Sequence, residues 1–117
     1  MLVQRKEDEK MSVFVVETYL VKPEGQEEFK SLIQRLLEYK EENPRLFKEV
    51  KSFKLFHQMF GGFAGAYIEM WEFDSIADLE KCWTRENKDE GFMKIHKDFL
   101  RFIDPATFSM KIWTSVM

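Results

Sequence analysis

The chain has 117 residues, of which 44% are hydrophobic and 33% are charged. These proportions fit one globular domain and exclude a chain that is disordered over most of its length. The net charge of -3 argues against a nucleic-acid-binding protein, because such proteins carry a basic surface. The single cysteine excludes an internal disulfide and fits a reducing compartment. Phenylalanine occurs 12 times, which predicts a core or pocket built from aromatic rings.

The first residues are mostly charged and lack the apolar stretch of a secretory signal. No apolar run in the sequence is long enough to cross a bilayer. We therefore expect residues 1–11 to form a charged tail, with Met11 as an alternative first residue. Residues 12–117 are expected to form a single cytoplasmic domain with no membrane partner and no nucleic-acid partner.

The first half of the domain predicts a strand followed by a helix. Residues 12–21 are rich in β-branched and aromatic residues and are apolar on both faces, which indicates a strand that is covered on both sides. The helix is expected to begin at Pro23 and to end before Asn43, since the residue that precedes a proline avoids helical angles. Its apolar residues recur at helical spacing: Phe29, Leu32, Ile33, Leu36 and Leu37.

The second half predicts a hairpin, two helices and a last strand. Strands over residues 50–60 and 64–73 are expected to pair around the turn at Gly61 and Gly62. Ser75 and Asp78 then have the spacing of a capping box at the start of a helix. The inner stripe of this helix is predicted to be Ile76, Leu79, Cys82 and Trp83, with a break over residues 85–91. A further helix is predicted over residues 92–103 and a strand over residues 108–116.

This order of elements predicts a ferredoxin-like βαββαβ fold of the α+β class, with a four-stranded antiparallel sheet and helices on one face. Several strands are nevertheless apolar on both faces, and a monomer rarely leaves such a patch in water. We expect a second copy of the chain to cover the other face about a two-fold axis, which makes a homodimer. The alternative is that the loop over residues 44–50 folds across it.

Two segments resemble a known group of proteins. Tyr67–Leu79 is similar to the strand-to-helix segment E-x-W…A-x-L of the antibiotic-biosynthesis-monooxygenase-like superfamily. Glu17–Phe29 resembles the opening strand and helix of that superfamily and of the NIPSNAP-like proteins. The resemblance implies a dimeric α+β barrel, in which two ferredoxin-like sheets close around a central barrel and each subunit holds a cleft between sheet and helices.

The resemblance implies three kinds of function. Some relatives are cofactor-independent oxygenases of phenolic polyketides, some bind and degrade haem, and many have no assigned function. In the haem-degrading relatives a Trp on the third strand, a His on the following helix and an Asn on the first strand matter. Trp71 and His96 lie at the first two positions, and Thr18 replaces the Asn. Haem is therefore a possible cofactor by resemblance, and otherwise no cofactor is expected.

Two residues are candidates for a catalytic base. His96 lies on the apolar stripe of the last helix with Phe92, where it could bind iron, move a proton or simply pack in the core. Glu17 stands among apolar residues on the first strand, so its carboxyl must pair with a cation or have a raised pKa. A raised pKa suits a general base, whereas a partner such as Lys111 would make the pair structural.

The predicted ligand-binding residues centre on one face of the third strand. Tyr67, Glu69 and Trp71 present a hydroxyl, a carboxyl and a ring there, which suits a flat organic ligand, although Trp71 could instead complete the core. His57 is expected to line a cavity or to contact a second subunit. The predicted set is Trp71, Tyr67, Glu69, His57, Thr18 and Phe92.

Other chemistries lack their residues. Cys82 is expected to be a buried apolar residue with no base beside it, and the two His and one Cys do not have the spacing of a zinc site. The glycine-rich turn at residues 61–65 lacks the lysine and the helix of a P-loop. The sequence therefore predicts a homodimer that holds a small aromatic molecule. Its chemistry, if it is an enzyme, would be metal-free oxygenation, and the alternatives are a non-catalytic binding or assembly domain and a haem-binding protein.

Overall fold

The computed structural model describes residues 11–62 and 64–117, and within them the helices and strands follow the predicted order. They are β1 (Val13–Tyr19), α1 (Gln26–Glu42), β2 (Ser52–His57), β3 (Tyr67–Phe73), α2 (Ile76–Glu86), α3 (Glu90–Phe102) and β4 (Ser109–Thr114). Short 3-10 turns at Pro23–Gly25 and Pro105–Thr107 precede α1 and β4. The predicted charged tail lies outside the described residues except for Met11.

The four strands form one antiparallel sheet in the order β2-β3-β1-β4, which confirms the ferredoxin-like prediction. Residues that stand opposite each other in an antiparallel pair point to the same face of the sheet. Val15 stands opposite Trp71, and Glu17 stands opposite Glu69, so these four side chains share the face on which the helices pack. The two polar members of this set are therefore placed inside an otherwise apolar layer.

Local signals mark the end of α1 and the start of α2, whereas α1 begins at Gln26 without a side-chain cap, after the 3-10 turn that takes the place of the start predicted at Pro23. α1 ends at Glu42, before Asn43 and Pro44, as the proline predicts. At the start of α2, Ser75 Oγ accepts a hydrogen bond from the backbone N–H of Asp78 at 3.1 Å, as the capping spacing predicts. α2 continues to Glu86, so the prediction that it breaks at residue 85 is wrong by two residues.

The start of α3 and one side chain of α2 also differ from the expectation. α3 begins earlier than predicted because the carboxylate of Asp89 accepts the N–H of Phe92 at 2.9 Å and so caps the helix. The placement of Ile76 on the inner stripe of α2 is wrong, since the residue is 45% exposed, whereas Leu79 and Cys82 are buried as expected.

The loop between α1 and β2 packs on the helix side of the sheet. Leu46 and Phe47 are buried against Leu32, Leu36 and Ile95. The ring of Phe47 also stacks on Trp71, with 6.3 Å between the ring centroids. The alternative in which this loop covers the other face of the sheet is therefore wrong.

The face of the sheet opposite the helices has an apolar centre with polar residues around it, and it is partly bare. We call this surface the open face; its residues are Phe14, Val16, Thr18, Ser52, Lys54, Phe56, Ile68, Met70, Glu72, Ser109, Lys111 and Trp113. Phe56 is 45% exposed and Trp113 is 49% exposed. β4 is exposed along its whole length, because no described helix packs over this edge strand. The apolar surface that the sequence predicts is thus present in the folded chain.

Candidate functional site

A cavity of about 410 Å³ lies between the helix-covered face of the sheet and the three helices. Its size is within the range of pockets that hold small organic molecules. Side chains from β1, β3, β4 and all three helices line it, and its aromatic walls are Trp71, Phe73, Trp83, Phe92, Phe99 and Phe108. Flat rings of this kind offer a large apolar contact area to an aromatic ligand.

Three carboxyl groups line the cavity: Glu17, Glu69 and Glu86. Glu17 and Glu69 face each other across the β1–β3 pair, and Glu86 comes from the last turn of α2. Among the described lining residues, the only side chain that could carry a positive charge is His96. The polar part of the cavity is therefore almost entirely acidic.

Glu69 is held in place by two hydrogen bonds. The hydroxyl of Tyr19 donates to Oε2, and Trp71 Nε1 donates to Oε1 at 3.0 Å. Both the Glu69 and the Tyr19 side chains are buried. Burial raises the pKa of the Glu69 carboxyl, while the hydrogen bonds from Tyr19, Trp71 and Glu17 act in the opposite direction. Glu69 thus acts as an anchor that fixes the indole ring of Trp71 at the cavity wall.

The carboxyl of Glu17 has no cationic partner among the described residues. Burial, followed by the negative charge of Glu69, the hydrogen bond between the two carboxyl groups and the charge of Glu86, raises the pKa of Glu17 to about 8. Lys111 stands opposite Val16, so it points to the open face and cannot pair with Glu17; that alternative is wrong. Glu17 is thus a carboxyl group that still holds its proton near neutral pH.

Glu86 belongs to the cavity although the sequence analysis overlooked it. Burial raises the pKa of its carboxyl to about 7, and Cys82 Sγ lies 3.5 Å from Oε2. A spacing signal was available, because Glu86 follows Leu79 and Cys82 at i+7 and i+4 and so continues the buried stripe of α2. Cys82 itself is wholly buried, as predicted, and burial raises the pKa of its thiol well above the usual range.

The cavity is open to solvent, since some of its lining residues are exposed: Asn87 after α2, and a group on α3 and at β4. We call this second group the mouth: His96, Leu100, Phe108 and Met110. The imidazole of His96 lies between the rings of Phe92 and Phe99, with 6.4 and 6.2 Å between ring centroids. Partial burial there lowers the pKa of His96 below 6.5, so the ring is neutral at neutral pH.

The structure brings together most, but not all, of the predicted site residues. Glu17, Glu69, Trp71, Phe92 and His96 line the cavity.

Three predicted residues lie elsewhere. Thr18 points to the opposite side of the sheet from Glu17, because neighbouring residues of a strand alternate between its faces. Tyr67 packs against Phe29, with 4.7 Å between ring centroids, and His57 is an exposed residue of the edge strand β2 beside Tyr67. We therefore leave Thr18, Tyr67 and His57 out of the proposed site.

Within residues 11–62 and 64–117, no group of three or more His, Cys, Asp and Glu side chains is arranged to hold a metal ion. No helix in the same part of the chain combines the length and the apolar character that crossing a membrane requires.

Comparison with known proteins identifies the fold. No protein-family model and no curated protein matches the sequence. Among solved structures, a NIPSNAP family protein from Agrobacterium tumefaciens is 14% identical, with a TM-score of 0.70 over 90% of this chain and 86% of that chain. SnoaB, a cofactor-independent oxygenase from Streptomyces nogalater, is 13% identical, with a TM-score of 0.64 over 91% of this chain and 94% of that chain.

A further structure is described as a dimeric protein of unknown function with a ferredoxin-like fold, from Bacteroides fragilis. It is 12% identical, with a TM-score of 0.60 over 89% of this chain and 96% of that chain. At such identities the likeness concerns the fold. The predicted NIPSNAP-like and monooxygenase-like ferredoxin fold is therefore confirmed as an architecture shared with these proteins.

Proposed function

We propose that the protein is a homodimeric, small-molecule-binding protein that oxygenates an electron-rich aromatic substrate without a cofactor, with Glu17 or His96 as the base. The observation that carries the proposal is the carboxyl of Glu17, which lies without a cationic partner in a cavity with aromatic walls. Burial of a carboxyl without a cation opposes folding, and carboxyls with such raised pKa values cluster at functional sites.

The proposed chemistry begins with a proton transfer. An anthrone-like phenol carries a weakly acidic C–H group, and the ordinary carboxylate is a weak base for it. A carboxylate with a pKa of about 8 is a much stronger base, because its protonated form is more stable. The carbanion then gives electrons to O₂ and forms a hydroperoxide. Loss of water leaves a ketone, so one oxygen atom enters the product and the other enters water.

The remaining residues have positioning roles in this proposal. The indole of Trp71, fixed by Glu69, supports one face of the substrate ring. The aromatic walls exclude water, which would otherwise protonate the carbanion. Glu69 is a positioning residue, since it acts through Trp71.

The pH dependence of the rate distinguishes the two candidate bases. If Glu17 is the base, the rate rises with pH until about 8, where its carboxyl becomes ionised. If His96 is the base, the rate has already reached its plateau at neutral pH, because the pKa of His96 lies below 6.5.

Oxygen uptake with dithranol, a synthetic anthrone, tests the proposal. We expect the wild-type protein to accelerate uptake, and the variant that removes the base, Glu17→Gln or His96→Gln, to be slower by about 10²–10⁴-fold. Glu80→Gln is the matched control, because Glu80 is exposed on α2, away from the cavity. Equal uptake with and without protein would overturn the oxygenase part. Dithranol binding without uptake would leave a non-catalytic binding protein.

Haem binding is the second candidate function, and it is favoured by the position of His96 at the mouth. The acidic cavity opposes it, because haem carries negatively charged propionates. A titration with haemin that gives a Soret shift in the wild type and none in His96→Ala would replace the oxygenase proposal. We expect no shift that depends on His96.

The dimer is supported by the area of exposed apolar surface. The relevant side chains on the open face and its hairpin are Phe56, Met59, Phe60 and Trp113, which are between 45% and 87% exposed. Since a large side chain has about 150–250 Å² of surface, these four expose roughly 500 Å² together. One partner of a stable protein–protein interface contributes about 800 Å². A second copy of the chain on the open face accounts for this surface, and half-buried neighbours such as Phe14 add to it.

A further inference from the structure

The hairpin between β2 and β3 ends in two large apolar side chains that touch little of their own chain. Met59 is 85% exposed and Phe60 is 87% exposed. Gly61 and Gly62, both with positive φ, turn the chain directly after them. We call Met59 and Phe60 the hairpin tip. Side chains of this size are costly to leave in water, so the tip is expected to have a partner.

The mouth of the cavity is a second apolar surface without cover. Leu100 is 50% exposed, Met110 is 46% exposed and Phe108 is 37% exposed, although all three line the cavity. No described segment of the chain packs over β4 next to them. The cavity of a single subunit therefore lacks part of its wall.

The hairpin tip and the mouth lie at the same end of the sheet but at opposite edges. Tyr67, where β3 begins after the hairpin, stands opposite Tyr19 at the end of β1. Thr18, which precedes Tyr19, stands opposite Ser109 at the start of β4. β2 and β4 are the two edge strands of the sheet. Three strand spacings separate them, which is about 14 Å.

A two-fold axis that runs along the strands, between two sheets whose open faces meet, brings the hairpin tip of one subunit to the edge and the end of the partner's sheet at which the mouth lies. Such a rotation reverses the order of the strands and keeps their ends aligned. β2 of one subunit therefore lies over β4 of its partner, and the hairpin end of one lies at the mouth end of the other. The mouth itself is on the helix side of β4, so the tip reaches it around the end of this edge strand. The contact occurs twice, as a closed dimer requires.

We propose that the partner subunit completes the cavity, with the hairpin tip of one subunit covering the mouth of the other. The inference rests on the proposed homodimer and adds that the site is incomplete in a single chain. A closed mouth excludes water from the carboxyl groups and the ligand, which strengthens every electrostatic interaction inside. It also gives the exposed residues of both surfaces an apolar neighbour.

Cross-linking between engineered cysteines tests the contact directly. In the double variant Met59→Cys/Met110→Cys we expect mild oxidation, or a short bifunctional maleimide, to give a covalent dimer on a denaturing gel without reductant. Cys82 does not compete, because it is wholly buried. The matched control is Met59→Cys/Glu80→Cys, which carries the same number of new thiols with one on the exposed side of α2. The two single variants serve as controls for links between identical positions.

Ligand binding gives a second measurement that does not depend on cross-linking. In Met59→Ser/Phe60→Ser we expect Nile red, a neutral aromatic dye, to bind roughly tenfold more weakly than in the wild type. The control Leu37→Ser/Ile76→Ser removes two other exposed apolar side chains, from the outer sides of α1 and α2, and should leave the affinity unchanged.

The outcomes separate this inference from the proposed function. A stable dimer in sedimentation without the cross-link between residues 59 and 110 would overturn the inference and leave the oxygenase proposal standing. A monomer in sedimentation would overturn both the dimer and the inference. A specific cross-link without oxygen uptake would support the inference and overturn only the oxygenase part.

Discussion

The buried position of Glu17 makes the fold less stable as the pH rises. In the unfolded chain its carboxyl titrates near 4.5, and in the folded chain burial and the neighbouring carboxylates raise the pKa to about 8. Below the lower value both states hold the proton, and the group has no effect on stability. Between the two values only the unfolded chain releases the proton, so the stability of the fold decreases with increasing pH. Above the higher value the loss is constant.

The variant Glu17→Gln should remove this dependence, because an amide of similar shape does not ionise. Between about pH 5 and about pH 8 one proton contributes up to about 4 kcal/mol to the loss of stability of the wild type. Denaturant unfolding at a series of pH values measures it. We expect the variant to lose less stability over this range, and Glu80→Gln to follow the wild type. A variant curve as steep as that of the wild type would contradict the raised pKa.

Gly91 lies so close to Tyr39 that no side chain fits at this position. A Cβ atom at this position would collide with the hydroxyl and ring of Tyr39. That hydroxyl donates to the carboxylate of Asp89, which also caps α3. The contact thus ties the first turn of α3 to α1.

Gly91→Ala should destabilise the fold by about 1–3 kcal/mol, because Tyr39 must move and its hydrogen bond to Asp89 is lost. Thermal or denaturant unfolding measures the loss. Tyr39→Phe removes the colliding hydroxyl, so the double variant should lose less than the sum of the two single variants. If the two losses of stability are additive, the cost of Gly91→Ala does not come from its contact with the hydroxyl of Tyr39.

At the scale of the residue, strand alternation was the strongest signal in the sequence. It correctly placed Glu69 and Trp71 on one face and identified Glu17 as a carboxyl among apolar neighbours. The same alternation put Thr18 on the opposite face of the sheet from Glu17, although the resemblance to the haem-degrading relatives implies a site residue at this position. The acidic character of the whole cavity could not be predicted, because it depends on how Glu86 of α2 is brought next to two strands.

At the scale of the element, the loop between α1 and β2 depends on one arginine. The guanidinium of Arg85 donates to both carboxylate oxygens of Glu49, at 2.9 and 2.7 Å, and to the carbonyls of Arg45 and Leu46 at 3.1 and 3.0 Å. These bonds hold the loop whose Leu46 and Phe47 fill the core. The pKa of Glu49 is lowered by the bond from Arg85.

Arg85→Ala should therefore cost about 1–3 kcal/mol of stability, since the loop loses its bidentate partner and its carbonyls lose a donor. Arg85→Lys should recover only part of this, because an ammonium group cannot match the fork of a guanidinium. Arg101→Ala is the control: Arg101 pairs with Asp98 at 3.2 Å on the surface and should change stability by less than about 0.5 kcal/mol. Equal effects of Arg85→Ala and Arg101→Ala would mean that the loop is held by its apolar contacts alone.

Element type and order were predictable because capping, proline and periodicity act over a few residues. The end of α1 before Pro44 and the start of α2 after Ser75 are examples. The side of the sheet on which the loop packs was not predictable. It depends on contacts between residues far apart in the sequence, such as Arg85 and Glu49, and on the stacking of Phe47 against Trp71.

At the scale of the whole molecule, the proposed dimer depends on the open face, where Trp113 is 49% exposed. Trp113→Glu puts a charge on the proposed interface at the edge strand β4, so we expect it to weaken association by at least about tenfold without unfolding the subunit. Analytical ultracentrifugation over a range of concentrations measures the change. Ile76→Glu makes the same kind of change at an exposed residue on the helix side and should leave the association unchanged. A wild type that stays monomeric throughout would contradict the dimer.

The 3 tryptophans are divided between the cavity and the open face. Trp71 and Trp83 line the cavity, whereas Trp113 lies on the open face. Intrinsic fluorescence therefore contains two separate optical reporters. Emission from a Trp113→Phe variant would follow occupancy of the cavity, and the difference from the wild type would follow contact between subunits, with no external dye.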